Sequence, residues 1–255
     1  MHARPVAIML LLVGLGLDVG DFTVKAFEDL KNADLIYYED YTSPIDSGVI
    51  DYIRKLLPGK RIERLERSDL EEKAMERLII PAKSRNIAVL VSGDPFSATT
   101  HTSVFLDALR ENVECRIHHA PSVLTAVSEC GLQLYKFGRT VTLPAGIGCP
   151  KSVYDFIIRN HDNGLHTLVL FDVGMPMTAA LRSLIEADRK GSLLGDVVVL
   201  ARAGTLTQKL FFGSLGELIK RHGDDDFGPP PHCIAVLGDL HFFEREFLEA
   251  VSKKR

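Results

Sequence analysis

Ile87 to Val91 is an unbroken apolar run that passes directly into Ser92-Gly93-Asp94-Pro95. No other stretch restricts the fold of this 255-residue chain as strongly. A strand with no polar face has to be covered on both sides, as in a parallel sheet packed between helices. The Gly-Asp-Pro that ends it forces an immediate turn. That turn leaves a carboxylate and backbone N–H groups at the carboxyl edge of the sheet, where open α/β sheets bind their ligands.

The rest of the chain repeats this alternation of strand-length apolar runs and amphipathic helical stretches. In the first half, strands are expected over 7–13, 35–38, 87–91 and 115–118. Helices are expected over 22–32, with Asp21 as N-cap, and over 49–57, 70–81 and 100–111. The texture changes at Ala120-Pro121-Ser122. A helix then runs to about Cys130, a strand covers 139–143, and a Pro/Gly loop covers 144–150. Helix 151–160, strand 167–172, helix 177–190, strand 196–201, helix 210–222, strand 232–237 and a helix from Leu240 follow. Asp224–Asp226 is expected as a solvated loop. The pattern predicts two α/β domains, 1–119 and 120–255.

Composition excludes several classes. The apolar share of 46% and charged share of 25% are those of a globular protein, and the net charge of −4 argues against nucleic-acid binding. The first apolar run, Val6 to Val13, is too short to span a bilayer, and it leads into Gly14-Leu15-Gly16 as a core strand would. The four cysteines are scattered without CxxC spacing, which points to buried thiols in a cytoplasmic protein, with no metal site.

Several residues carry two readings. Gly14-Leu15-Gly16-Leu17 is either a tight strand exit or a close approach to a ligand, and it lacks the third glycine of a dinucleotide fingerprint. Asp94 either caps its own turn or binds a ligand at the sheet edge. His118 and His119 are adjacent at a strand end, so one is expected inward and one toward solvent. Ser122 and Val123 open a helix, whose N-terminus favours a carboxylate. His232 follows three prolines and is either structural or part of a site. No nucleophile–base set, P-loop or zinc spacing is present in the sequence.

Read in order, LLVGLGL (11–17), YYEDYTS (37–43), GDPFSATTH (93–101), HAPSV (119–123), GLQLYKFG (131–138), GLHTLVLFD (164–172), MTA (177–179), LARAG (200–204) and PPH (230–232) resemble the diphthine synthase family. The glycine-rich opening and the GDP are shared more widely with tetrapyrrole methylases. The resemblance implies a class III methyltransferase fold, two α/β domains with a cofactor cleft between them. It implies S-adenosylmethionine as cofactor, S-adenosylhomocysteine as product, elongation factor 2 as protein substrate, and a homodimer. Carried over motif by motif, the cofactor residues are Leu17, Asp94, Ser97, Ser122, Val123, Phe171, Ala203 and His232. No catalytic base is assigned, because an activated methyl donor chiefly needs alignment and exclusion of water. A tetrapyrrole methyltransferase of the same fold and a non-catalytic cofactor-binding protein are the alternatives.

Overall fold

The computed structural model describes residues 8–45, 47–188 and 195–252. The chain divides into two compact units, with the division between Val123 and Leu124. That is four residues beyond the expected boundary at 119. The linking residues 120–122 are tied to the first unit, where the Ala120 N–H donates to the Asp94 carboxylate at 3.2 Å.

The first unit holds strands β1 (Leu10–Gly14), β2 (Leu35–Glu39), β3 (Ile62–Leu65), β4 (Ile87–Val91) and β5 (Cys115–His118). They form one parallel sheet in the order β3-β2-β4-β1-β5. Successive side chains alternate between faces. Leu10, Leu12, Ile87 and Val89 therefore join one apolar cluster, while Leu11, Val13, Ala88 and Leu90 join another. Helices α1 (Val24–Leu30), α2 (Ser47–Leu56), α3 (Arg67–Glu71) and α4 (Thr102–Arg110) accompany the strands.

Three details differ from the sequence expectation in this unit. Thr23 caps α1 by accepting from the Ala26 N–H at 3.1 Å, and Asp21 is diverted elsewhere. The charged stretch 70–81 is not one helix but α3, a π-helical turn at Met75–Ile79 and a 3₁₀ turn at Pro81–Lys83. Strand β3 was hidden because its IERL carries two charges on an edge strand.

Helix α5 (Val123–Ala126) starts at the last residue of the first unit, and the second unit contains β6 (Val141–Leu143), α6 (Lys151–Asp162), β7 (Thr167–Phe171), α7 (Met177–Ala187), β8 (Asp196–Ala201) and β9 (Lys209–Ser214). Helix α8 (Leu215–Arg221), α9 (Asp224–Phe227), β10 (His232–Val236) and α10 (Phe242–Ser252) complete it. The sheet order is β6-β7-β10-β8-β9, parallel only between β6 and β7. The expected helix 210–222 is in fact β9 followed by α8. The break is at Ser214, whose hydroxyl accepts from the Glu217 N–H while Glu217 reaches back, a capping box. Residues 224–227 form one helical turn rather than a loop, because Phe227 is fully buried in the core. The predicted end of α7 at Arg189 and Lys190 lies outside the described residues. No described helix is long and apolar enough to cross a membrane.

GLQLYKFG is fastened to α10 by one buried carboxylate. Glu244 accepts from the Gln133 N–H at 2.8 Å, Lys136 Nζ at 2.6 Å, the His241 N–H at 2.7 Å and His166 Nε2 at 3.1 Å. His166 Nδ1 accepts from the Gly238 N–H, so Nε2 is the protonated nitrogen. Burial opposes ionisation, but these donors outweigh it and hold Glu244 at about 2. Its contribution to stability is complete above the ordinary value of 4.5 and is lost as the pH falls through about 2. Glu244→Ala strands the donors, and urea unfolding at pH 7 is expected to show a loss of about 3 kcal/mol.

Candidate functional site

In the first unit the two glycine-bearing strand exits pair with each other. Gly16 and Gly93 exchange both backbone hydrogen bonds, at 3.1 and 2.8 Å, and Leu15 N–H donates to the Val91 carbonyl at 2.9 Å. Both glycines have positive φ, +77° and +65°. Asp21 closes the first loop, its Oδ2 accepting from the Leu17 and Asp18 N–H groups at 2.9 and 3.0 Å. This explains why it does not cap α1.

Asp94 organises the second loop. Its Oδ1 accepts from the Phe96 N–H at 2.9 Å and Ser97 Oγ at 3.3 Å. Its Oδ2 accepts from His119 Nδ1 at 2.7 Å and the Ala120 N–H at 3.2 Å. The capping reading is therefore realised, and it extends to a second segment, 119–120. Burial would raise the Asp94 pKa, but the hydrogen bonds from Phe96, His119 and Ala120 prevail and hold it below the usual carboxylate value. The paired histidines divide as expected. His118 is buried with Nε2 2.9 Å from Asp29, and His119 is 69% exposed. Ser122 is buried next to this assembly, with its Cα 3.9 Å from where a Gly93 Cβ would stand. Leu17, Ser97 and Val123 are half-buried. The structure thus gathers Asp94, Ser97 and Ser122 around one pair of loops.

A second polar knot ties YYEDYTS to ATTH. Glu39, fully buried, accepts from the Tyr41 and Thr42 N–H groups at 3.2 and 3.1 Å and from the Thr42 hydroxyl, and its Oε1 is 3.4 Å from His101 Nε2. Tyr41, Thr100 and His101 border a cavity of about 200 Å³. This is smaller than the roughly 300 Å³ at which small-molecule pockets begin.

In the second unit, β10 runs antiparallel between β7 and β8, with His232 opposite Ala201. Continuing the β7–β10 register brings Phe171 level with His232. Arg202, in LARAG, adopts a left-handed φ of +53° and is buried. Its guanidinium donates to the Thr207 carbonyl (3.0 Å), Thr207 Oγ1 (3.1 Å), and the Phe227 and Pro229 carbonyls (3.1 and 2.7 Å). Its N–H donates to the Pro231 carbonyl at 2.7 Å. These bonds tie the turn carrying Ala203 to the segment that delivers His232. Neither His232 ring nitrogen, both shielded from solvent, has a hydrogen-bond partner of normal geometry. Burial lowers the His232 pKa, against the opposing influence of the Gly228 and Phe227 backbone and with Arg202 adding to the lowering. A half-buried neutral imidazole whose shielded nitrogens lack a partner of normal geometry suits a ligand that offers a polar edge. Among the described residues no group of three His, Cys, Asp or Glu side chains could hold a metal ion.

Sequence reasoning missed Asp21, Arg202 and the Asp94–His119 contact. Asp21 has the only local signal, four residues after Leu17 in a loop that needs an acceptor. The other two depend on segments brought together by the sheet.

A family model described as tetrapyrrole (corrin/porphyrin) methylases matches residues 9–219. Diphthine synthase from Methanocaldococcus jannaschii is 39% identical over 257 residues, covering 94% of this chain and 98% of that protein. The Methanococcus aeolicus diphthine synthase is 40% identical over 255 residues, covering 94% and 97%. A crystal structure of a diphthine synthase superposes with a TM-score of 0.85 at 38% identity, covering 94% of each chain.

The loop pairing yields a direct test. A Cβ on Gly14 would stand 2.6 Å from the Gly93 carbonyl oxygen and 3.0 Å from Ala120 Cβ and Pro95 Cδ. Gly14→Ala is expected to cost about 1–3 kcal/mol in denaturant unfolding. A variant as stable as the parent would show that the two loops are not held so closely.

Proposed function

This chain belongs to the diphthine synthase family of the tetrapyrrole methylases, and from that membership we propose that it methylates the amine of a 3-amino-3-carboxypropyl-histidine on elongation factor 2, using S-adenosylmethionine, to give diphthine. The observation that carries this reading is near-full-length identity of 39–40% to proteins of that activity. Leu17, Asp94, Ser97, Ser122, Val123, Phe171, Ala203 and His232 are proposed to hold the cofactor. The free ring nitrogens of His232 and the glycine-lined loop pair fit that role. The same reading makes the protein a cytoplasmic homodimer.

When bound, the cofactor supplies a methyl group already activated by a sulfonium charge. The chain's task is then to bind, orient and exclude water. Asp94 acts through shape: with four donors of its own chain on its oxygens, it sets the course of the 93–97 loop and presents that backbone to the ligand. His232, neutral by virtue of burial, can donate from one nitrogen and accept at the other. The acceptor amine, with an α-amino pKa near 7.7–8.0, is neutral in roughly one molecule in ten at pH 7, at a cost of about 1 kcal/mol. The first transfer therefore needs no dedicated base.

Two measurements check the reading. Mass spectrometry of elongation factor 2 bearing the aminocarboxypropyl-histidine, after incubation with enzyme and cofactor, is expected to show successive gains of one methylene unit on that residue. No gain, with cofactor binding intact, would defeat it. In calorimetry with S-adenosylhomocysteine, Asp94→Ala and His232→Ala are each expected to weaken binding by about tenfold or more, Asp94→Ala by releasing the 93–97 loop and His232→Ala by removing a hydrogen bond to the ligand. Unchanged affinity would remove that residue from the site.

A further inference from the structure

We infer that His119, oriented by Asp94, is the proton acceptor that serves the substrate nitrogen between successive methyl transfers. The inference rests on the proposed methylation of an amine and adds to it a catalytic residue.

The geometry is that of an imidazole aimed by a carboxylate. Asp94 is nearly buried, with 8% of its side chain exposed, whereas His119 is 69% exposed, and His119 Nδ1 is 2.7 Å from Asp94 Oδ2. An ionised carboxylate only accepts hydrogen bonds, and Asp94, with the Phe96 and Ala120 N–H groups and the Ser97 hydroxyl also donating to it, is held below the usual carboxylate value by its donors, His119 among them. The shared proton therefore sits on His119 Nδ1. In the neutral ring this leaves Nε2 bare, as a proton acceptor on the exposed side. The Phe96 ring stands edge-on to the imidazole with centroids 6.5 Å apart. The dyad lies where the chain leaves β4 and β5, the two strands that flank β1, at the carboxyl edge of the parallel sheet. His119 is followed by Ala120-Pro121-Ser122, so the ring is carried by the same segment as the proposed cofactor residue Ser122. Its neighbour His118 has no such freedom, being buried against Asp29.

Repeated methylation creates the need for this group. When the neutral amine nitrogen forms its new N–C bond, the donor's C–S bond breaks and sulfur keeps that electron pair. Nitrogen is left positively charged and still carries hydrogen. It has no lone pair for another transfer until it loses a proton. Transfer of that proton to His119 Nε2 restores the lone pair, and the imidazolium then passes the proton to solvent, to which it is open. The first transfer can draw on amine already neutral in solution, whereas later ones depend on deprotonation of a nitrogen held in the site.

The test compares wild type, His119→Gln and His119→Ala on elongation factor 2 bearing the aminocarboxypropyl-histidine, with products resolved by mass. The later transfers are expected to slow by about 100-fold, the usual scale of general base catalysis. Singly methylated product then accumulates, while S-adenosylhomocysteine affinity by calorimetry stays within about twofold. Added imidazole is expected to restore the later transfers in His119→Ala. In the cofactor-free protein, nitrogen NMR should find His119 protonated at Nδ1 and bare at Nε2, with this preference lost in Asp94→Asn. An unchanged product distribution in both variants overturns the inference, as does an Nε2-protonated ring or a loss of homocysteine-product binding in His119→Gln. If wild type itself methylates nothing, the reading of the function fails and this inference with it.

Discussion

The carboxylate of Asp94 governs how the first unit arranges the loops at the carboxyl edge of its sheet. An ionised group with little exposure is costly unless its lone pairs are filled, and unpaired it would tend to take up a proton. Here four donors from two segments of chain fill them: the 93–97 turn, through the Phe96 N–H and the Ser97 hydroxyl, and the 119–120 exit of β5. Each donor also gives up an alternative conformation of its own backbone or ring. The loop after β4 and the exit from β5 are thereby held as one object, and Gly14, Gly16 and Gly93 allow the loop after β1 to lie against it.

The second unit solves the same problem with the opposite charge. Arg202 is buried, and in the hydrogen bonds described its guanidinium meets carbonyl and hydroxyl oxygens rather than a carboxylate. Burial lowers its pKa, yet guanidinium starts so far above neutrality that it keeps its charge. Its planar fork collects acceptors from 207, 227 and 229, fixing irregular backbone around β8 and β10 that no ladder would hold. The same bonds fix the segment that delivers His232, whose ring nitrogens have no hydrogen-bond partner of normal geometry.

What the sequence revealed followed from local signals. The continuous apolar strand before Gly93 announced a covered parallel sheet because every residue in it must be buried. The two histidines sorted themselves by strand geometry alone. Where local signals competed, the reading failed. Leu210-Phe211-Phe212 has apolar content compatible with either helix or strand, and pairing with β8 decided for strand. Asp224–Asp226 looked solvated, but burial of a single following phenylalanine pulled the turn into a helix. Glu244 gave no signal, since its partner Gln133 is 111 residues away. Of the candidate site, the glycines and Asp94 were legible as strand-exit chemistry and His232 as a lone histidine with two readings, whereas Phe171 and Ala203 entered only through resemblance. Their juxtaposition depends on an antiparallel pairing that sequence does not specify.

The ambiguity over Asp94 dissolves once its lone pairs are counted. Capping and ligand binding were posed as alternatives because a carboxylate has a limited number of acceptor positions. With these occupied by the chain, Asp94 can influence a bound molecule only through what it holds in place. One of those groups is backbone, which a ligand can meet directly, and another is an imidazole with a bare nitrogen facing outward. A carboxylate that shapes a binding loop and aims a base links affinity and proton transfer through one side chain. The two effects separate at His119, which can be altered while Asp94 keeps its backbone donors at Phe96 and Ala120. Binding would then follow the loop and turnover the ring, a division of labour that a carboxylate in direct contact with ligand would not produce.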